Sequence, residues 1–115
     1  MKTSRAVTVI GLVLVLAYVS QTIILLSRGT ENASLVYLNL VYAASYAVSI
    51  VLINSILKVG VIMGVMAGTI NAVRLLPASF AVERGLPFIA SHAALIVLAC
   101  TFVALSSLLP LSSSE

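Results

Sequence analysis

The chain has 115 residues, of which 62% are hydrophobic and 8% charged, with six basic and three acidic side chains and a net charge of +3. A soluble domain is about one-quarter charged, and a chain this short could not bury so much apolar surface in a core of its own. The composition therefore excludes a free-standing globular protein, and the scattered basic residues exclude the continuous basic face that binds nucleic acid.

Four apolar runs account for nearly the whole chain. A hydrocarbon core of about 30 Å is crossed by about 20 residues of helix, with a usual range of about 17–25. The runs cover residues 6–26, 35–57, 59–76 and 87–109, and the charged side chains lie close to or beyond their ends. The sequence predicts an all-α integral membrane protein of one domain, with four transmembrane helices that form two antiparallel hairpins.

The first run follows Lys2 and Arg5, as the apolar region of a signal peptide would. Such a region is about 7–15 residues long and ends in small residues at a cleavage site. This run is longer, and residues 18–21 make a poor cleavage site, so a retained helix is predicted. If the run were removed, two apolar arms and a loop with Arg84 would remain, which in outline is similar to a pilus-like filament subunit.

The connections between the runs leave two alternatives open. Residues 32–34 match the pattern for glycosylation at Asn32, although so short a pattern is common by chance. The second and third runs are separated by Lys58 alone. One continuous helix over both would be about 60 Å long, twice the thickness of the hydrocarbon core. A tight hairpin is therefore favoured over one long helix.

The membrane orientation is not fixed by charge. Three basic residues fall on each side of the predicted membrane: Lys2, Arg5 and Lys58 on one, and Arg28, Arg74 and Arg84 on the other. The positive-inside rule gives a tie. Because the N-terminal helix usually dominates, both termini are predicted to be cytoplasmic, which makes the side with three arginines the outer one.

Small residues form a row along the third run, at a spacing of four. They are Gly60, Gly64, Gly68 and Ala72. This spacing keeps them on one slowly drifting side of a helix, and small residues allow the backbone of another helix to approach closely in lipid. The row predicts a helix-packing face of the glycine-zipper type, whose partner is the second run, another copy of the chain or a different subunit.

Polar side chains form a second pattern. The second run carries four at spacings of three, four and three, namely Asn39, Tyr42, Tyr46 and Ser49. If the chain turns at Lys58, antiparallel pairing places Tyr46 near Asn71 and Ser49 near Gly68. It also places Tyr42 or Tyr46 near Arg74.

These polar groups and His92 gather in the predicted outer third of the membrane. In one interpretation they are interfacial, with tyrosines at headgroup depth and Arg74 extended towards water or lipid phosphate. In the other they line a pocket formed by Asn39, Tyr42, Tyr46, Asn71, Arg74 and His92. A pocket with a fixed positive charge and no carboxylate suits an anion or a polar headgroup.

The absent residue types restrict the chemistry. The chain has no Asp, and its three Glu residues, at positions 31, 83 and 115, lie outside the runs. Carriers driven by protons or cations generally need a carboxylate within the membrane. No catalytic triad, carboxylate pair or phosphate loop is present, so no enzyme is predicted. With one His and one Cys, neither a metal site nor a cofactor is predicted.

The leading functional expectation is a small accessory or structural subunit of a larger membrane complex, which packs on its partner through the glycine face. Its partners would be the lipid bilayer and other membrane subunits or copies of itself. The alternative is a homo-oligomeric channel or carrier for an anion or a small neutral solute. A pilus-like filament subunit is a minor alternative.

Overall fold

The computed structural model describes residues 2–29 and 33–109. Its elements are α1 (Lys2–Ser27), α2 (Ala33–Ile53), α3 (Leu57–Ser79), a short 3₁₀ helix (Val82–Arg84) and α4 (Leu86–Ser107). Each of the four α-helices is long and apolar enough to cross a membrane. The prediction of an all-α, four-helix membrane protein is confirmed. Glu31, Glu115 and the possible glycosylation site at Asn32 lie outside the described residues.

The four helices form a ring in which each packs against two neighbours. α1 packs on α2 and α4, and α3 packs on α2 and α4, so α1 lies diagonally across the bundle from α3. Helices that are consecutive in the chain run antiparallel, since the segments that join them are short. α1 and α3 therefore end, and α2 and α4 begin, at the same end of the bundle. This end carries Arg28, Arg74 and Arg84 and is called the arginine end.

The turn between α2 and α3 confirms the hairpin and corrects its position. α2 ends at Ile53, four residues before the predicted boundary, and Lys58 lies in the first turn of α3. The side-chain amide of Asn54 donates a hydrogen bond of 2.8 Å to the carbonyl of Ile50, and the hydroxyl of Ser55 donates one of 2.8 Å to the carbonyl of Val51. Side chains of this kind compete with the helical backbone pattern. The polar pair therefore occupies the turn, before the charged residue is reached.

Proline and glycine shape the connection between α3 and α4. Pro77 lies inside α3, which continues beyond the predicted end of the third run to Ser79. Pro77 lies in the last turn, where little helix follows that it could disrupt. Gly85 has φ of +93°, a conformation that favours glycine. Pro87 then occupies the first turn of α4, where its missing N–H has no helical partner to lose.

The glycine row is used for packing within the chain. A Cβ atom on Gly60 would overlap the backbone of α2 at Leu52 and Ile53, and one on Gly68 would lie 2.5 Å from Val103 on α4. A Cβ on Gly64 would lie 3.0 Å from the ring of Phe102 and 3.6 Å from Ser49. Ser49 is therefore beside Gly64 and not Gly68. α3 thus uses this row to approach both of its neighbours.

Ala72, the fourth member of the row, lies at the edge of this packing. It is half-buried and contributes to a groove of about 390 Å³ between α3 and α4. The groove is lined almost entirely by apolar side chains.

The middle of the bundle is closed by Phe102. Its ring is fully buried and meets the ring of Tyr46 edge to face, with 5.2 Å between the ring centres. A Cβ atom on Gly11 would lie 2.9 Å from the same ring. Because Gly11 has no side chain, α1 can approach α4 closely at this level.

Candidate functional site

Above Phe102, towards the arginine end, the four helices enclose a cavity. Since Gly11 lies opposite Phe102 and the helices are antiparallel, the register pairs three positions of α1 with three of α4. The pairs are Tyr18 with Leu95, Gln21 with His92, and Leu25 with Phe88. All six residues line one cavity of about 470 Å³, here called the arginine cavity.

The other elements complete the lining. α2 contributes Leu35 and Asn39, α3 contributes Arg74 and Leu75, and Arg28 and Arg84 come from the connecting segments. Three arginines and one histidine thus face a common space, and none of the described lining residues is a carboxylate. Within the described part of the chain, no three His, Cys, Asp or Glu side chains come together as a metal site would require. The lining is therefore suited to negative charge.

A hydrogen-bond network forms the floor of the cavity. The hydroxyl of Tyr18 donates to Oδ1 of Asn71 at 2.8 Å, and Nδ2 of Asn71 donates to the hydroxyl of Tyr46 at 2.9 Å. All three side chains are fully buried. Arg74 Nη2 donates to the same Oδ1 at 3.1 Å. Since two donors converge on this atom, it must be the amide oxygen, which fixes the orientation of Asn71.

Arg74 is held over the cavity floor by two contacts. Its guanidinium carbon lies 4.7 Å from the centre of the Tyr42 ring, which is a cation–π contact. Its Nη2 atom donates a hydrogen bond to Asn71. Tyr42 is itself stacked on Tyr18, with 5.8 Å between the ring centres. The aromatic residues of α1 and α2 and the amide of α3 thus orient the guanidinium inside the bundle.

Two donors in the lining have no hydrogen-bond partner among the described residues. The side chain of Asn39 is 4% exposed, and its Nδ2 atom is buried without a hydrogen bond. Nε of Arg74 is also buried and unpartnered. Buried polar groups in proteins are usually paired, and an unpaired one costs about 1–3 kcal/mol. A third such atom, Oγ of Ser106, belongs to no residue of the cavity lining.

Phe88 contacts both Arg84 and His92 at the mouth of the cavity. The guanidinium carbon of Arg84 lies 4.5 Å from the centre of its ring, and the His92 ring lies 4.2 Å away between centres. Nδ1 of His92 is 2.8 Å from the carbonyl oxygen of Phe88. Because a carbonyl can only accept, Nδ1 carries the proton, and in the neutral ring Nε2 is then an acceptor.

The structure brings the six predicted pocket residues to one region of the bundle, but they have two different positions. Asn39, Arg74 and His92 line the cavity. Asn71, Tyr42 and Tyr46 lie beneath it and hold Arg74 in place. Three of the six predicted residues thus line the cavity, and the other three support it from beneath.

The sequence interpretation missed the contribution of α1 and of the loop before α4. Three cavity residues of α1 and the arginine just after it have the same three, four, three spacing as the stripe on α2, namely Tyr18, Gln21, Leu25 and Arg28. That spacing was the available signal, and the apolar Leu25 interrupts it. Arg84 and Phe88 carry no comparable pattern.

Known proteins offer no analogy for this site. No family model matches the chain, and no curated protein or solved structure shows significant similarity to it. The function is therefore inferred from the residues of the cavity.

Proposed function

We propose that this protein is a membrane carrier that binds a small oxyanion, a phosphate or a carboxylate, in the arginine cavity. The observation that carries the proposal is the pair of unpartnered donors, Asn39 Nδ2 and Arg74 Nε, in the lining of a cavity with three arginines. An oxyanion has several lone pairs, and both side chains would turn these buried donors towards it on binding. Hydrogen bonds between a guanidinium and an oxyanion are roughly twice as strong as those between neutral groups.

The closed middle of the bundle supports a carrier over a channel. Leu14, Tyr46 and Phe102 are fully buried at the level below the cavity. A channel needs a continuous conducting pathway, whereas a carrier binds its substrate from one side at a time. Transport through four helices packed in this way requires a rearrangement. The proposed carrier is an assembly of several copies of the chain.

The sign of the lining supports an anion over a cation. Arg28, Arg74 and Arg84 contribute three positive charges. Transferring a cation into this space would add like charge in surroundings where charges interact strongly. An oxyanion instead offsets the repulsion between the arginines.

The test is equilibrium binding of labelled inorganic phosphate to the protein in nanodiscs of zwitterionic lipid. Unlabelled acetate is expected to compete, and choline is not. Arg74→Gln is expected to weaken phosphate binding by at least about tenfold. Arg5→Gln, at the opposite end of the bundle, is the matched control and should retain wild-type affinity. Equal binding by the two variants would contradict the proposal.

The accessory-subunit prediction stays a second candidate, with less support than the sequence alone suggested. It relied on a glycine face for a partner, and Gly60, Gly64 and Gly68 contact helices of the same chain. Native mass spectrometry of the protein extracted from its own membrane would distinguish the candidates. Unrelated chains in a fixed ratio would favour a subunit, and copies of this chain alone would favour the carrier.

A further inference from the structure

We propose that the ligand of the arginine cavity is an amphiphile, with a phosphate head group bound at Arg74 and an apolar chain that leaves the bundle between α1 and α4. This inference rests on the proposed oxyanion site and names its ligand class. The line along which α1 and α4 meet above Phe102 is here called the seam.

The cavity lining is amphipathic. Besides its arginines and amides, it contains five apolar side chains, namely Leu25, Leu35, Leu75, Phe88 and Leu95. A free, hydrated phosphate gains nothing from such surfaces, because transfer to an apolar environment favours only apolar groups. The cavity volume of about 470 Å³ falls in the range of about 300–1,000 Å³ typical of sites for drug-sized ligands. Both features match a ligand with a polar and an apolar part.

The lining extends from buried positions to exposed ones. Asn39 is buried, and the half-buried Arg74 is held by the floor network. Gln21, Arg28 and Arg84 are exposed, Leu25 and Leu95 are half-buried, and Leu75 is buried. The cavity therefore reaches the surface of the bundle along the seam, within helices that are apolar enough to cross a membrane. A head group at the deep donors would leave its chain at the seam, facing lipid.

The charge of the head group favours phosphate over carboxylate. A phosphate monoester carries about −1.5 to −2 charges at neutral pH and three acceptor oxygens. A carboxylate carries one charge on two oxygens. The three arginines and the amide of Asn39 offer more donors than a carboxylate could accept.

The experiment compares methyl phosphate and dodecyl phosphate, which share the head group and differ in the chain. Binding is measured to the protein in zwitterionic nanodiscs, and empty nanodiscs correct for partitioning into lipid. Dodecyl phosphate is expected to bind at least about tenfold more tightly. Inorganic phosphate should displace it, which would show that the two ligands share one site.

Variants of the seam locate the chain. Leu95→Trp fills the seam and should abolish the advantage of dodecyl phosphate over methyl phosphate. Leu25→Trp tests the same position from α1. Val97→Trp adds the same side chain at an exposed position of α4 outside the lining and should change neither constant. Circular dichroism and thermal unfolding like those of wild type show that a variant is folded.

The outcomes separate this inference from the proposed function. Equal affinity for methyl and dodecyl phosphate would overturn the amphiphile and leave the oxyanion site standing. A dodecyl advantage that survives both Leu95→Trp and Leu25→Trp would also overturn it. If the wild-type protein binds neither phosphate, the proposed function itself fails.

Discussion

The hydroxyl of Tyr18 on α1 donates a hydrogen bond of 2.8 Å to Oδ1 of Asn71 on α3, although these helices lie diagonally across the bundle. Nδ2 of the same amide donates to Tyr46 on α2 at 2.9 Å. Oδ1 also accepts from Arg74 at 3.1 Å. One buried side chain therefore joins three helices and orients the guanidinium of the cavity.

Asn71→Leu is expected to destabilise the protein. Leucine is close in size to asparagine, so the main effect is the loss of partners for the buried hydroxyls of Tyr18 and Tyr46. Hydrogen bonds between membrane helices contribute about 0.6–2 kcal/mol each, so the free energy of unfolding should fall by about 1–3 kcal/mol. Unfolding in mixed micelles, followed by circular dichroism, measures the change.

Asn54→Leu is the matched control for this substitution. Asn54 is exposed at the α2–α3 turn, and its only described bond to another helix is one of 3.3 Å to Thr8. We expect a loss of less than about 1 kcal/mol. Equal losses in the two variants would show that the network contributes nothing beyond an ordinary polar contact.

Two glycines of α3 should respond differently to the same small substitution. A Cβ on Gly60 overlaps the backbone of α2, which cannot move without shifting the helix, whereas a Cβ on Gly64 lies 3.0 Å from the Phe102 ring, which needs to move little. Gly60→Ala should cost about 1–3 kcal/mol of unfolding free energy. At Gly64 the gain in helix propensity, about 0.5–1 kcal/mol, should offset most of the strain. Thermal unfolding that shows the reverse order would contradict this packing.

Arg74→Lys should preserve the fold and weaken anion binding. A lysine keeps the charge, but it lacks the planar fork with which Arg74 faces Tyr42, Asn71 and the cavity. The affinity for inorganic phosphate should fall about tenfold while thermal stability changes little. Arg5→Lys is the control, since Arg5 lies at the opposite end. Wild-type affinity in Arg74→Lys would mean that charge alone is recognised.

Much of the fold follows from local features of the sequence. The four spans depend on apolar length, and the short connection between α2 and α3 makes their pairing predictable. The expected contact of Tyr46 with Asn71 and that of Tyr42 with Arg74 are both present. The predicted position of the turn was wrong because Lys58 was weighed as the only break, whereas the polar residues Asn54 and Ser55 form the turn.

The cavity itself was less predictable, because it depends on the pairing of the first and last helices. No short loop sets the register of α1 against α4. It depends on the fit of Gly11 to the ring of Phe102, one of many small–large pairs that the sequence would allow. Tyr18 and Gln21 could therefore be recognised as polar positions, but not as the residues that face Leu95 and His92.

Asn39→Leu should separate stability from binding. In the free protein, Nδ2 of Asn39 is buried without a partner, and removal of an unsatisfied donor relieves a cost of about 1–3 kcal/mol. The variant should be at least as stable as wild type, and more stable by up to that amount. Phosphate binding should nevertheless fall by about tenfold, because the ligand loses one of its two buried unpartnered donors.

The comparison with Asn71→Leu makes this prediction specific to the site. Both substitutions replace a buried asparagine by the same apolar side chain, and the two asparagines lie on adjacent helices at the same end of the bundle. A structural role for Asn39 would make both variants less stable. If Asn39 is instead a donor for a ligand, the two variants should change stability in opposite directions. Asn71→Leu should lose stability, whereas Asn39→Leu should lose affinity for phosphate. Phosphate should accordingly raise the unfolding temperature of wild type more than that of Asn39→Leu, since at one concentration a tighter ligand stabilises the folded state more.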